Sequence, residues 1–311
     1  MDANLTTRTW ILLLLCNLFW AGNSVAAKII LDQYDWLQAA WLRTASTAAS
    51  MILGIFAFRL IRAQSLFQQA MPRFSKSGTL KWVIAGGLLT FVGSPVFYAF
   101  SLVEGKAVEA TWVVVLEPVI LFFLAAVFLG EKIGRMRWLS FALATLGFLL
   151  FAKAFEAGTF TEMHRVPFFW MLLGATCDGV FSIVCRKAVD EGWRGLAVFW
   201  GTTWVGAVVL TLILGFSHGW GHSFPRIGTM HLRTILALLW VGPVGTALTF
   251  GYWVVNLEKF PVSAMTLTLY LQPIFGSLFA YVLLRETLDP VQWVGSALII
   301  AAAFLSSRSG K

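Results

Sequence analysis

Charge is scarce in this sequence. Only 12% of its 311 residues are Asp, Glu, Lys or Arg, about half the share of a typical soluble domain. With 59% hydrophobic residues and a mean hydropathy of +0.79, a water-soluble globule is excluded, because its shell would need many more charged side chains. Cysteine is also rare. Cys16, Cys177 and Cys185 all sit in apolar stretches, at spacings that suggest neither a disulfide framework nor a zinc site. The sequence has no Walker A motif, no Gly-x-Ser-x-Gly elbow and no HExxH, so nothing supports ATP hydrolysis or hydrolysis within a membrane, and no cofactor is expected. The net charge of +8 is spread over short loops rather than gathered in a patch or tail, and nucleic acid is not expected as a partner. No small-residue cleavage site follows the first apolar run, so a cleaved signal peptide is not expected.

Long apolar runs are abundant. A membrane-crossing helix needs roughly 20 mostly apolar residues, and ten such segments occur, at about 9–30, 36–60, 80–102, 107–129, 137–155, 166–187, 194–216, 232–256, 262–284 and 290–307. The expected class is an all-α integral membrane protein with the lipid bilayer as its surroundings. With the amino terminus in the cytoplasm, fifteen of the 23 Lys and Arg fall on the cytoplasmic side and seven on the other, Arg43 lying within a span. By the positive-inside rule both termini are therefore expected in the cytoplasm, which for a bacterial chain means the inner, plasma membrane.

The second half repeats the first. LEPVILFFLAAVFLGEKIGRMRW from Leu116 and LQPIFGSLFAYVLLRETLDPVQW from Leu271 align without a gap at a shift of 155 residues. The shift matches Pro118 with Pro273, Glu131 with Glu286 and Trp138 with Trp293. Five spans is an odd number, so the second unit (166–307) is expected to be inverted relative to the first (1–155). Inverted repeats are a mark of transporters whose halves move about a central site.

These residues resemble the EamA family of the drug/metabolite transporter superfamily. The resemblance covers nearly the whole chain, as two copies of a five-helix unit. It is carried by NLFWAGNSVAAK (Asn17–Lys28), by Pro118 followed by Gly130-Glu131, by Pro273 followed by Glu286, and by SIVCRKAV at the end of the sixth span. Two positions depart from the family pattern: Arg285 replaces the Gly before Glu286, and Asp178 stands where the family usually has an uncharged residue. The resemblance implies a non-enzymatic secondary transporter that exports amino acids or related small metabolites. It also permits a phosphorylated-sugar or nucleotide-sugar exchanger, which should place several cations in its cavity, where this chain offers Lys28 and Arg43. A receptor or scaffold without transport would need a sizeable soluble domain, and the longest loops here have about 17 residues.

Polar side chains within hydrocarbon must face protein or a water-filled cavity, so their stripes mark a candidate path. Asn17, Trp20, Ser24 and Lys28 share one face of the first span. Ser94 and Tyr98 do so on the third span, and the shift carries this stripe to Thr249, Trp253 and Asn256 on the eighth. Small residues in such stripes can equally be packing seams. Lys28 lies near the end of its span, where it either snorkels to the interface or meets an anionic substrate group.

Glu117 and Asp178 are the carboxylates nearest mid-membrane, where an unpaired ion costs several kcal/mol. A carboxyl so placed can carry a proton or hold a substrate amino group, and protons are the candidate coupling partner. The alternative for Glu117 is a structural ion pair with Arg43 or Lys28, and for Asp178 a structural pair with Arg43 or a hydrogen-bond acceptor in helix packing. The repeat mate of Glu117 is Gln272, which cannot titrate, so one proton-coupling site is expected. Pro118 and Pro273 remove a backbone N–H each and are the expected hinges. His218 and His222 have the spacing of a helical metal pair, but they lie in a Gly-rich loop without neighbouring carboxylate or Cys ligands, and no metal is expected.

Overall fold

A computed structural model describes residues 7–60, 80–104, 107–151, 154–155, 165–220, 223–272, 274–275 and 289–308. These residues form helices and connecting turns, with no strand among them. The helices are α1 (Thr7–Ala21, resuming after Gly22 as Asn23–Leu31), α2 (Trp36–Leu60) and α3 (Leu80–Leu88, a π-helical turn Leu89–Gly93, then Ser94–Glu104). There follow α4 (Ala107–Leu129), α5 (Arg135–Phe151), α6 (Arg165–Asp190) and α7 (Gly195–His218). Last come α8 (Leu232–Leu239, a π-helical stretch Trp240–Leu248, then Thr249–Leu257), α9 (Val262–Thr266 continuing as the 3₁₀ turn Leu267–Leu271) and α10 (Pro290–Arg308). Pro273, Arg285, Glu286 and His222, which the sequence singles out, lie outside the described residues.

Backbone hydrogen bonding closes within each helix, which is what a chain needs where no water can satisfy it. Thr9–Leu31, Leu80–Val103, Phe168–Asp190, Gly195–His218 and Leu232–Leu257 are long and apolar enough to cross a membrane, and Glu117–Leu129, Val262–Leu271 and Pro290–Leu305 are shorter apolar helices. Their outward faces carry large apolar side chains such as Phe216, Val127 and Leu53. An exposed apolar surface of this extent suits lipid, not water.

The pairing of helices has a regularity of its own. α3 packs on α7 and α2 on α8; α3 packs on α6 and α1 on α8; α4 packs on α6 and α1 on α9. Exchanging the two halves turns each of these pairs into its companion. The π-helical turns obey the same rule, because adding 155 to 89–93 gives 244–248, inside the second π-helical stretch. A π-helical turn inserts a residue and frees a carbonyl, and such turns gather at functional sites. Here side chains take up the slack: Thr44 Oγ donates to Phe91 O at 3.0 Å, and Asn23 Nδ2 donates to Gly245 O at 3.0 Å.

α5 and α10 pack along their lengths. Phe122 and Phe141 stack at 4.2 Å, and Tyr270 shares a 2.9 Å hydrogen bond with Thr145, so α5 is tied to α4 and α9. A second aromatic core joins Phe91, Phe181, Phe199 and Phe250, with centroids 5.6–6.4 Å apart. It fills the interior between α3, α6, α7 and α8.

Candidate functional site

Five helices bring their polar residues together around Asp178. Arg43 of α2 and Asp178 of α6 face each other at 3.9 Å, and each keeps some accessible surface, 19% and 17% of the side chain. Glu117 of α4 is within electrostatic reach of both. Among the described residues it makes no direct hydrogen bond or ion pair. The guanidinium thus has two carboxylates near it and engages Asp178. From α3, Tyr98 contributes its hydroxyl, 3.5 Å from Ser24 Oγ of α1, and Ser94 is fully buried. Ser94 Oγ stands beside the Asp178 carboxyl without completing a hydrogen bond to it. Ser94 Oγ and Asp178 Oδ1 have no hydrogen-bond partner among the described residues. A cleft lined by Leu31, Ala39, Pro95 and Val241 reaches Arg43 and Tyr98.

Trp20 forms the boundary of this cluster. It is half-buried, and its ring meets Phe250 and Trp253 edge-on, each with centroids 5.4 Å apart. Beyond it the polar residues are sealed in. Asn17 is fully buried; its Nδ2 donates to Leu13 O at 2.8 Å and to Thr268 Oγ at 3.1 Å. Gln272 Nε2 donates to Asn17 Oδ1 at 3.2 Å. Trp253 Nε1 donates to Ser182 Oγ at 3.0 Å. Thr249 Oγ donates to Gly245 O in its own helix at 2.9 Å, and Asn256 Nδ2 to Tyr252 O at 2.7 Å.

The residues expected to line a path therefore fall into two groups. Ser24, Ser94, Tyr98, Glu117 and Asp178 gather at one cluster with Arg43. Asn17, Thr249, Trp253, Asn256 and Gln272 are buried, with internal hydrogen bonds, and Trp20 stands between the groups. Lys28 is exposed and makes no ion pair among the described residues. Pro118 is buried within α4. His218 Nε2 lies 3.2 Å from Asp35 Oδ2, and the described residues contain no group of three metal-ligating side chains.

Sequence reasoning passed over several contributors. Thr268 sits four residues before Gln272 and Ser182 four after Asp178; helical spacing from a residue already chosen would have found both. Glu131, a repeat marker and part of the family pattern in the sequence, also holds a neighbouring helix. Its carboxylate accepts from Val262 N at 2.7 Å, Ser263 N at 3.1 Å and Ser263 Oγ at 2.5 Å, capping the first turn of α9. Gly130 takes φ +62° just before it, a left-handed turn that ends α4 and frees Glu131 to reach α9.

A model of the EamA-like transporter family matches the chain twice, over residues 7–153 and 166–308. A probable terminal-alkyne amino-acid exporter of Streptantibioticus cattleyicolor is 27% identical over 292 residues, covering 93% of this chain and 90% of that protein. A probable amino-acid metabolite efflux pump of Salmonella typhimurium is 25% identical over 299 residues, covering 95% and 93%. One crystal structure aligns with a TM-score of 0.70 at 18% identity, over 97% of this chain and 99% of that one; that likeness concerns the fold alone.

Proposed function

The chain belongs to the EamA-like transporter family of multi-pass membrane proteins, and from that premise we propose that it exports small organic metabolites, amino acids or related compounds, across the plasma membrane by alternating access. The proposed architecture is ten transmembrane helices in two inverted five-helix repeats, with both termini cytoplasmic in a bacterial inner membrane. The twofold family match, the exchange-related helix pairs and the paired π-helical turns support the two repeats, and the proposed orientation rests on the distribution of Lys and Arg.

One observation carries the functional reading: an ionisable cluster of Arg43, Asp178 and Glu117 deep among apolar helices, in which Arg43 and Asp178 keep accessible surface. Charges in such a place are costly and mark substrate or ion pathways. The cluster takes residues from α2, α3 and α4 of the first half and α6 of the second, so relative movement of the halves would change its exposure. In the proposed orientation the cleft at Arg43 and Tyr98 opens away from the cytoplasm. The aromatic core and the Asn17–Gln272–Thr268 bonds close the other side. Tyr98 and Trp20 would meet the solute first. Asn17, Thr249, Trp253 and Asn256 would meet it once the cytoplasmic side opens by bending near Pro118 and Pro273. Glu117, the carboxylate that Arg43 leaves unpaired, is the proposed proton carrier. The amino-acid class follows the names of the relatives. It also suits the cluster, because a phosphorylated sugar would need more cations than Arg43.

Counterflow in proteoliposomes, against amino acids, amines and phosphorylated sugars with and without a pH gradient, tests the reading. Exchange of amino acids is the expected result. Absence of counterflow for every class would overturn it.

A further inference from the structure

We infer that the Arg43–Asp178 pair is a slot for a zwitterion, which an α-amino acid enters with its carboxylate on Arg43 and its ammonium on Asp178 and Ser94. The inference rests on the transport reading above and specifies how that site recognises its substrate.

The pair is incompletely made. At 3.9 Å the two groups attract, but the distance is too long for a hydrogen bond. Asp178 Oδ1 is a buried acceptor and Ser94 Oγ a buried hydroxyl beside it, and neither has a completed hydrogen bond among the described residues. Leaving such groups unsatisfied is unfavourable, and a ligand that brings hydrogen-bond donors to them removes that cost. Arg43 offers a planar fork of donors suited to a carboxylate, and among the described residues the nearest carboxylate oxygen paired with it is that of Asp178, at 3.9 Å.

Charge selects the ligand class. Inserting an α-amino acid turns one loose pair into two close ones, guanidinium to carboxylate and ammonium to Asp178, and leaves the net charge of the slot unchanged. A phosphorylated sugar would set at least one excess negative charge beside Asp178 and Glu117 in a low-dielectric interior. With Glu117 carrying its proton, an amine without a carboxylate would take Asp178 and leave Arg43 unpaired. Either leaves an uncompensated charge, which is strongly unfavourable at such depth. The side chain of the ligand would point toward Trp20, one turn along α1 from Ser24, whose ring leans on Phe250 and Trp253. That wall suits an apolar or aromatic side chain.

The test uses the purified full chain in detergent and the ligand-dependent rise in unfolding temperature. The probes are phenylalanine, leucine, phenylalaninamide, N-acetylphenylalanine and glucose 6-phosphate. Phenylalanine and leucine should stabilise at millimolar concentration. The amide, which lacks the carboxylate, and the N-acetyl compound, which lacks the ammonium, should each need about tenfold more or higher. Arg43→Gln should erase the preference for phenylalanine over its amide, and Asp178→Asn the preference over the N-acetyl compound. The wild-type panel decides the matter even if a variant fails to fold. Equal responses to phenylalanine and its amide, no response to either amino acid, or stabilisation by glucose 6-phosphate in their place overturns the slot. Zwitterion selectivity without counterflow in proteoliposomes would leave the slot standing and remove the transport reading. Counterflow without zwitterion selectivity would do the reverse.

Discussion

Replacing Glu131 by Gln tests whether the cap on α9 is a latch. The carboxylate accepts three hydrogen bonds, from Val262 N, Ser263 N and Ser263 Oγ, at 2.7, 3.1 and 2.5 Å. An amide keeps one acceptor oxygen and turns its NH₂ toward the remaining donors, so one side of the cap is lost. A hydrogen bond to a charged group contributes about 1.5–3 kcal/mol, and a negative charge at a helix N-terminus about 0.3–1 kcal/mol more. The cap is half-buried, so water offsets part of the loss and the net effect is about 2 kcal/mol. In the proposed orientation these bonds join the cytoplasmic ends of α4 and α9. If they exist only while that side is closed, the substitution shifts the equilibrium toward the cytoplasm-open state by about 30-fold. Ala125 is a suitable reporter, because it is fully buried in the core and Glu131 N donates to its carbonyl at 3.4 Å. In a chain whose Cys16, Cys177 and Cys185 are replaced, an Ala125→Cys reporter should react with a maleimide about 30-fold faster when Glu131→Gln is added. A lower unfolding temperature with an unchanged labelling rate would refute the latch and make Glu131 a cap in every state.

Two further outcomes follow from particular contacts. Glu117→Gln should abolish transport driven by a pH gradient while sparing exchange in proteoliposomes; driven transport that continues unchanged excludes Glu117 as the proton carrier. Gly147→Ala should lower the stability of the chain by about 1–3 kcal/mol, because its Cβ would lie 2.8 Å from Gly295 O and 2.8 Å from Leu298 Cβ at the α5–α10 crossing. An unfolding temperature equal to that of the wild type would mean the two helices slide apart freely.

Sequence alone was sufficient for the helical class and for the five apolar helices long enough to cross a membrane, and it showed the internal similarity at a shift of 155 residues. The reason is that these depend on local quantities. An apolar run of about 20 residues must bond its own backbone in a membrane, and each run here carries that information within itself. The 155-residue shift needed only two similar stretches to be compared. Glu117 and Asp178 could be singled out for the same reason, since a carboxylate in an apolar run is expensive wherever its neighbours lie.

Partnership was decided by the tertiary structure. One stripe, Thr249, Trp253 and Asn256, is polar in the sequence, and in the structure its bonds close onto Gly245, Ser182 and Tyr252. Helical spacing gives the face a residue is on but not what that face meets. Arg43 could have paired with either carboxylate, and the position of α6 against α3 and α4 puts Asp178 opposite it. The π-helical turns were invisible too, because a one-residue insertion in a helix depends on what packs against it, and Thr44 and Asn23 come from other helices. Local hydropathy determines that this chain forms helices in a membrane. Which polar groups are satisfied, and which are not, depends on contacts between residues far apart in the chain, and only the packed structure supplies those.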